Sequence, residues 1–269
     1  MRAFANHFAF EFRAGLRNKD LLLLNYLLPL GFYALMGVMM TQINPLFTET
    51  MIPAMVIFAI LSATILGLPS PLVEAREGGI FRSFKINGVP ALYILSIPTL
   101  TTAFHAVIVA FIIATTATPL FRAPAPVNWL AFALLCLLAA FTCAGLGALI
   151  GVISSNTRVT ILWSQLLYLP SMMLSGMMVP TSILPPALRK VGLLLPSTYA
   201  MHAFQGLAQG RAAGVNPCAA VAILLAGGVL AFGMALYLFS WDSQNATRRG
   251  HPALALLALA PYVVGAILL

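Results

Sequence analysis

Long apolar runs alternate with short polar segments along the whole chain. The runs occupy residues 21–40, 51–73, 91–117, 128–153, 161–179, 217–240 and 252–269. A helix needs about 20 apolar residues to cross the hydrocarbon core of a bilayer, and the first six runs are long enough. The seventh, PALALLALAPYVVGAILL, is marginal in length and carries Pro261 near its middle. It is read as a seventh span, with a bent hairpin against the bundle as the alternative. None of the runs shows the alternation of barrel strands. Because lipid leaves no solvent for unpaired backbone groups, an α-helical bundle remains. The expected fold is therefore an all-α integral membrane protein. Residues 1–20 form an interfacial helix, 21–240 a six-span domain, and 241–269 a C-terminal extension with an extra span.

The polar segments refine this picture. In MRAFANHFAFEFRAGLRNKD, Phe4, Phe8, Phe12 and Leu16 recur every four residues, while Asn6, Arg13 and Arg17 lie on the other side. That spacing places the rings on one helical stripe, as in a helix lying flat in the membrane interface. The first run is not a cleaved signal, because twenty polar-rich residues precede it and no small-residue cleavage site follows. With the N-terminus inside, the inner segments hold ten basic residues: Arg2, Arg13, Arg17, Lys19, Arg76, Arg82, Lys85, Arg158, Arg248 and Arg249. The outer segments hold four, Arg122, Arg189, Lys190 and Arg211, so the positive-inside rule places the N-terminus in the cytoplasm.

Two segments stand out. The inner loop 74–90, EAREGGIFRSFKINGVP, holds Glu74, Arg76, Glu77, Arg82 and Lys85, and Ile80, Phe81 and Phe84 form a short apolar patch at helical spacing. Such a helix can dock into a groove of a soluble partner; a solvated loop obeying the charge rule is the plainer reading. The outer segment 180–215 is punctuated by Pro180, Pro185, Pro186 and Pro196, yet holds Ile183, Leu184, Leu188, Val191, Leu194 and Leu195. It is too apolar for a free loop and too broken for a span. Short helices re-entering the outer leaflet fit, packed on protein as irregular backbone at membrane depth must be.

Composition narrows the function classes. Of the residues, 61% are hydrophobic and 7% charged, against about 25% charged in soluble domains. A soluble enzyme, a nucleic-acid binder and a disordered chain are excluded. The net charge of +8 sits in clusters suited to anionic lipid headgroups rather than nucleic acid. Cys136, Cys143 and Cys218 have no metal or redox spacing. There is no G-x-x-x-x-G-K-[ST] phosphate loop and no HExxH pair, so neither ATP hydrolysis by that route nor zinc proteolysis belongs to this chain.

The apolar runs contain no Asp, Glu, Lys or Arg, and His105 is the ionisable residue at span depth. Ion-coupled carriers usually keep a buried acid, which argues against a secondary transporter. Asn25 and Gln165 cannot be satisfied fully within their own helices and bond between helices or line a pathway. Gly145, Gly147, Ala148 and Gly151 allow close helix contact. Met172, Met173, Met177 and Met178 form a flexible surface able to meet varied apolar ligands, or pack against lipid or the core.

The flat N-terminal helix, the 74–90 loop and the stretch LPSMMLSGMMVPTSILPPALRKVGLLLPSTYAMHAFQGL together resemble the permease subunit of type-2 ABC exporters over roughly residues 1–242. The most specific matches are Pro170, Ser175, Gly176, Pro180, Leu184, Pro185, Pro196 and Tyr199. His202 and Gln205 stand near places where the family often has charged residues, and the apolar segment after FSWDSQNATRRGH is an addition. The resemblance implies a dimer of two permease chains, homomeric or heteromeric, in the cell membrane, with the pathway at their interface. It implies two separate ATPase subunits that bind ATP and Mg, no cofactor in this chain, and coupling through Glu74, Arg76, Glu77, Phe81, Arg82 and Lys85. Ser175, Gly176, Pro180, Pro185, Pro196 and Tyr199 would belong to an outer gate at 180–198, with Asn25, Gln165, Met172 and Met173 along the pathway. An uncharged pathway favours a hydrophobic or amphipathic cargo. A lipid-modifying membrane enzyme using His105 and His202, and a non-transporting scaffold for an ATPase, are the alternatives.

Overall fold

The computed structural model describes residues 2–44, 47–242 and 250–268, with the backbone alone for 2–7. The side chains of Arg2, Phe4 and Asn6, and Arg248 and Arg249 entirely, lie outside the described residues. Among the described residues the chain is helical and has no strand. Five helices are long and apolar enough to cross a membrane: α2 (Lys19–Ile43), α3 (Phe47–Glu77), α5 (Ala91–Phe121), α6 (Trp129–Ile153) and α10 (Pro217–Tyr237). Around them lie α1 (Arg2–Arg17), α4 (Ile80–Ile86), α7 (Thr157–Leu174), α8 (Pro186–Gly192), α9 (Pro196–Ala203) and α11 (Ala260–Leu268). The fifth apolar run becomes α7, whose 18 residues reach about 27 Å at the α-helical rise.

Asparagine sets many of the helix starts. Asn18, Asn128, Asn156 and Asn216 each accept a hydrogen bond from backbone N–H groups of the first turn of α2, α6, α7 and α10. These are the donors an α-helix leaves unpaired at its N-terminus.

The bundle is built around α3, which is buried on almost all sides. Small residues of α6 seat it there. A Cβ on Gly147 would stand 2.1 Å from the Thr64 carbonyl oxygen, and one on Gly151 would stand 3.1 Å from that of Pro69. The opposite face of α6 meets α10, where Gly145 lies against the Gly228 carbonyl and Thr142 donates to the Leu224 carbonyl at 2.9 Å. Backbones this close gain dispersion contacts that lipid cannot match, which drives helix association in bilayers.

Contacts sort the connections into two ends. At one end Arg211 bonds Glu49, and the N–H groups of Val127 and Asn128 donate to the Ala208 carbonyl. At the other, Arg76 reaches residues 151–154 and Arg82 reaches Asp242. This second end carries α1 and α4 and is the basic end. Successive connections therefore alternate between the two ends.

The N-terminal stripe does not face lipid alone. Phe8 and Phe12 meet Phe104 of α5 edge to face, with centroids 6.4 and 5.7 Å apart, and Phe12 stacks on His105 at 4.3 Å. Phe10 and Leu16 stay exposed. The last apolar run is not a hairpin. Residues Pro252–Leu259 form a 3₁₀ stretch and α11 follows, with Pro261 in its first turn, where a missing N–H costs nothing. Gly250 lies by Tyr237, Tyr262 by Gly227, and Gly265 by Ile223, so the segment runs antiparallel along α10. Its 3₁₀ and α pieces together extend about 30 Å.

Candidate functional site

At the basic end, α3 does not stop where its apolar run stops. It continues to Glu77, and Gly79, at a φ of 73°, turns the chain into α4. A left-handed backbone favours glycine there. The extra helical turn decides where each charged side chain goes.

Arg76 falls on the same face as Leu72 and Val73 and is buried with them. Its guanidinium donates to the carbonyls of Gly151, Val152 and Ser154, the last turn of α6. These carbonyls have no helical partner of their own, and the helix dipole favours a cation beside them. Arg76 is thus a C-terminal cap for a neighbouring helix. Phe81 is also buried; its ring lies 5.4 Å from that of Phe239 just beyond α10. Arg82 forms an ion pair with Asp242. Three of the six candidate coupling residues therefore hold the loop onto the bundle. Glu74, Glu77 and Lys85 remain exposed, beside Ile80 at 49% and Ile86 at 80% exposure. Ile86 was not singled out from the sequence, although an apolar side chain flanked by Lys85 and Asn87 ahead of the α5 start was a usable signal.

At the opposite end, Ser175, Gly176 and Pro180 line a cavity of about 450 Å³ together with Met177, Met178, Glu49, His202 and Gln205. Gly176 has a φ of 87° and turns the chain out of α7; Ser175 donates to the Ser171 carbonyl at 2.5 Å. Pro185 and Pro196 open α8 and α9 rather than lining the cavity. All of α9 is buried. Its Tyr199 points the other way, donating to the Tyr262 carbonyl of α11 at 3.4 Å. Glu49 was missed from the sequence because its basic partner, Arg211, lies 162 residues away.

The pathway candidates scatter. Asn25 is buried near the basic end, Gln165 and Met172 are half-buried on α7, and Met173 is 59% exposed. On α7 an exposed stripe of Leu162, Leu166, Leu169 and Met173 runs past Gln165. No His, Cys, Asp or Glu cluster able to hold a metal occurs among the described residues.

A helical bundle with five long apolar helices, a capped basic-end loop and a short buried helix, α9, defines a multi-pass membrane protein. The family model for ABC-2 type transporters matches residues 4–208, and the chain belongs to that family; it is a membrane component of a transport system. The match includes both ends of the site and leaves α10 and the C-terminal segment outside. No curated protein matches the chain.

Proposed function

We propose that this chain is the pathway-forming permease of an ATP-driven exporter in the cell membrane, with its N-terminus cytoplasmic and ATP and Mg bound by two separate ATPase subunits. The observation that carries this reading is the state of α4. It is a short helix clamped to the bundle by Phe81 and Arg82, yet it offers Ile80, Lys85 and Ile86 outward. A rigidly held amphipathic helix suits a lever better than a floppy charged loop does. Glu74 and Glu77 extend the same surface.

Movement of α4 would pass to α6 through Arg76 and to the end of α10 through Phe239 and Asp242. A two-state bundle converts such a shift into opening at the far end, where Ser175, Gly176 and Pro180 border the cavity beside α9. The exposed apolar stripe of α7 supports a second permease copy as its cover, since a two-fold pairing is the common default. The largely apolar α7 face around Gln165 favours a hydrophobic or amphipathic cargo.

The test is site-specific photocrosslinking. A benzophenone side chain at Ile86 should join the chain to a soluble ATPase, while one at the exposed Leu137 should not. Crosslinks from both sites, or from neither, would remove the α4 assignment.

A further inference from the structure

We infer that a second, smaller ligand site lies within a single copy of this chain, at the basic end between α1, α2, α3, α4 and α5, and that it takes a neutral single-chain amphiphile bearing a hydroxyl head. The site is a cavity of about 370 Å³, at the small end of the roughly 300–1,000 Å³ typical of small-molecule sites. Its walls include Leu68, Leu72, Phe84 and Ile94, and it opens past Phe10 and Ile80, which are 67% and 49% exposed. An apolar chain entering from the interface would meet these side chains first.

Glu11, Asn25, Thr101, Thr102 and His105 give the cavity its polar lining. Asn25 is 3% exposed. Its amide oxygen has no hydrogen-bond partner among the described residues. A buried polar group left unpaired costs about 1–3 kcal/mol, so an unpaired amide on a cavity wall is a recognition element awaiting a partner. His105, on the same wall, pairs through Nδ1 with the Tyr26 hydroxyl at 2.6 Å, and its Nε2 is a second buried atom without a hydrogen-bond partner among the described residues.

The backbone around Asn25 is also unusual. It lies in a π-helical turn, Leu23–Leu27, and faces a second one, Ser62–Gly67. Ser62 joins the two by donating to the Leu24 carbonyl at 2.8 Å. A Cβ on Gly67 would come 3.3 Å from the Asn25 amide oxygen, so a glycine there keeps the amide uncrowded. Single π-turns recur at functional sites. Here two adjacent spans each insert one at the same level, beside the same unpaired amide. An amide both donates and accepts, which matches a hydroxyl head, and the Glu11 carboxylate on the same lining disfavours an anionic one. The site is complete without a second copy and stands independently of the cargo proposed above.

The experiment uses the full chain in native membrane vesicles with a diazirine-bearing decanol as probe, adducts being mapped by mass spectrometry. Labelling is expected on the peptides holding Leu68, Leu72, Phe84 and Ile94, and decanol should compete about five-fold better than decane, the worth of roughly one buried hydrogen bond. Asn25→Val should lower that labelling by a similar factor and leave labelling of the exposed Leu130 and Leu134 unchanged. Equal competition by decanol and decane in the unaltered protein would overturn the proposal, and that comparison needs no variant to fold. Labelling spread evenly over lipid-facing residues would overturn it as well.

Discussion

The guanidinium of Arg82 is bonded to the carboxylate of Asp242, 160 residues further along the chain. The pair ties α4 to the segment that follows α10, directly beside the Phe81–Phe239 ring contact. Arg82 is 55% exposed, and an exposed pair contributes about 0–1 kcal/mol to stability. In the proposed exporter its value would lie in transmission. Arg82→Glu should lower ATP-driven transport roughly ten-fold, within the 1–3 kcal/mol usual for coupling between sites, while thermal stability shifts little. The exchanged pair, Arg82→Asp with Asp242→Arg, should restore most of the loss. Transport assays on the unaltered protein and the two variants in vesicles check this; equal activity in all three would separate the pair from coupling.

Arg76 has a different assignment, although it stands only six residues earlier. It caps α6 through three carbonyls, and hydrogen bonds to charged groups are worth about 1.5–3 kcal/mol each at most. Arg76→Met should cost about 3 kcal/mol and show as an earlier melting transition and reduced monodisperse yield. Glu77→Gln, one residue along and exposed, should melt as the unaltered protein does. Size-exclusion profiles after graded heating compare the two directly.

At Gly147 the α6 backbone approaches α3 so closely that a Cβ would stand 2.1 Å from the Thr64 carbonyl oxygen. Neither backbone can swing aside as a flexible side chain would. Gly147→Val should therefore exceed the usual 1–3 kcal/mol of overpacking and prevent recovery of folded protein. Gly31→Ala, where nothing lies within 4 Å, is the control and should fold normally or slightly better, since alanine favours helix over glycine.

Much of the architecture was legible because lipid imposes length and apolarity on anything that crosses it. The run 91–117 becomes Ala91–Phe121 and 128–153 becomes Trp129–Ile153. The site was legible in outline only. Residues 74–90 stand out in the sequence as a charged loop, whereas Glu74, Arg76 and Glu77 are helical, and the direction of each side chain depends on α3 continuing to Glu77. Spacing carried a hint: Arg76 stands three and four residues after Val73 and Leu72, so continued helix puts it on their buried face. The partners of Phe81 and Arg82 were invisible, since Phe239 and Asp242 come to them only through the fold. The last segment was ambiguous for a backbone reason. Pro261 starts a helix as readily as it breaks one, and only the packing of Tyr262 on Gly227 and of Gly265 on Ile223 distinguishes the outcomes.

Orientation can be read from a native thiol. Cys218 is exposed at the start of α10, whereas Cys136 and Cys143 are buried in α6. With the basic end cytoplasmic, a membrane-impermeant maleimide should label intact cells once per chain, and Cys218→Ser should remove the signal. Labelling that needs permeabilised cells would reverse the orientation.

The central claim, that this chain is driven by a separate ATPase, is tested most directly by co-purification. The chain carries an affinity tag at its N-terminus, membranes are extracted in mild detergent, and stoichiometric partners are identified by mass spectrometry. The account predicts a soluble ATPase bearing the G-x-x-x-x-G-K-[ST] loop that this chain lacks, at one copy per permease. Intact, monodisperse chain recovered without any such ATPase would contradict it.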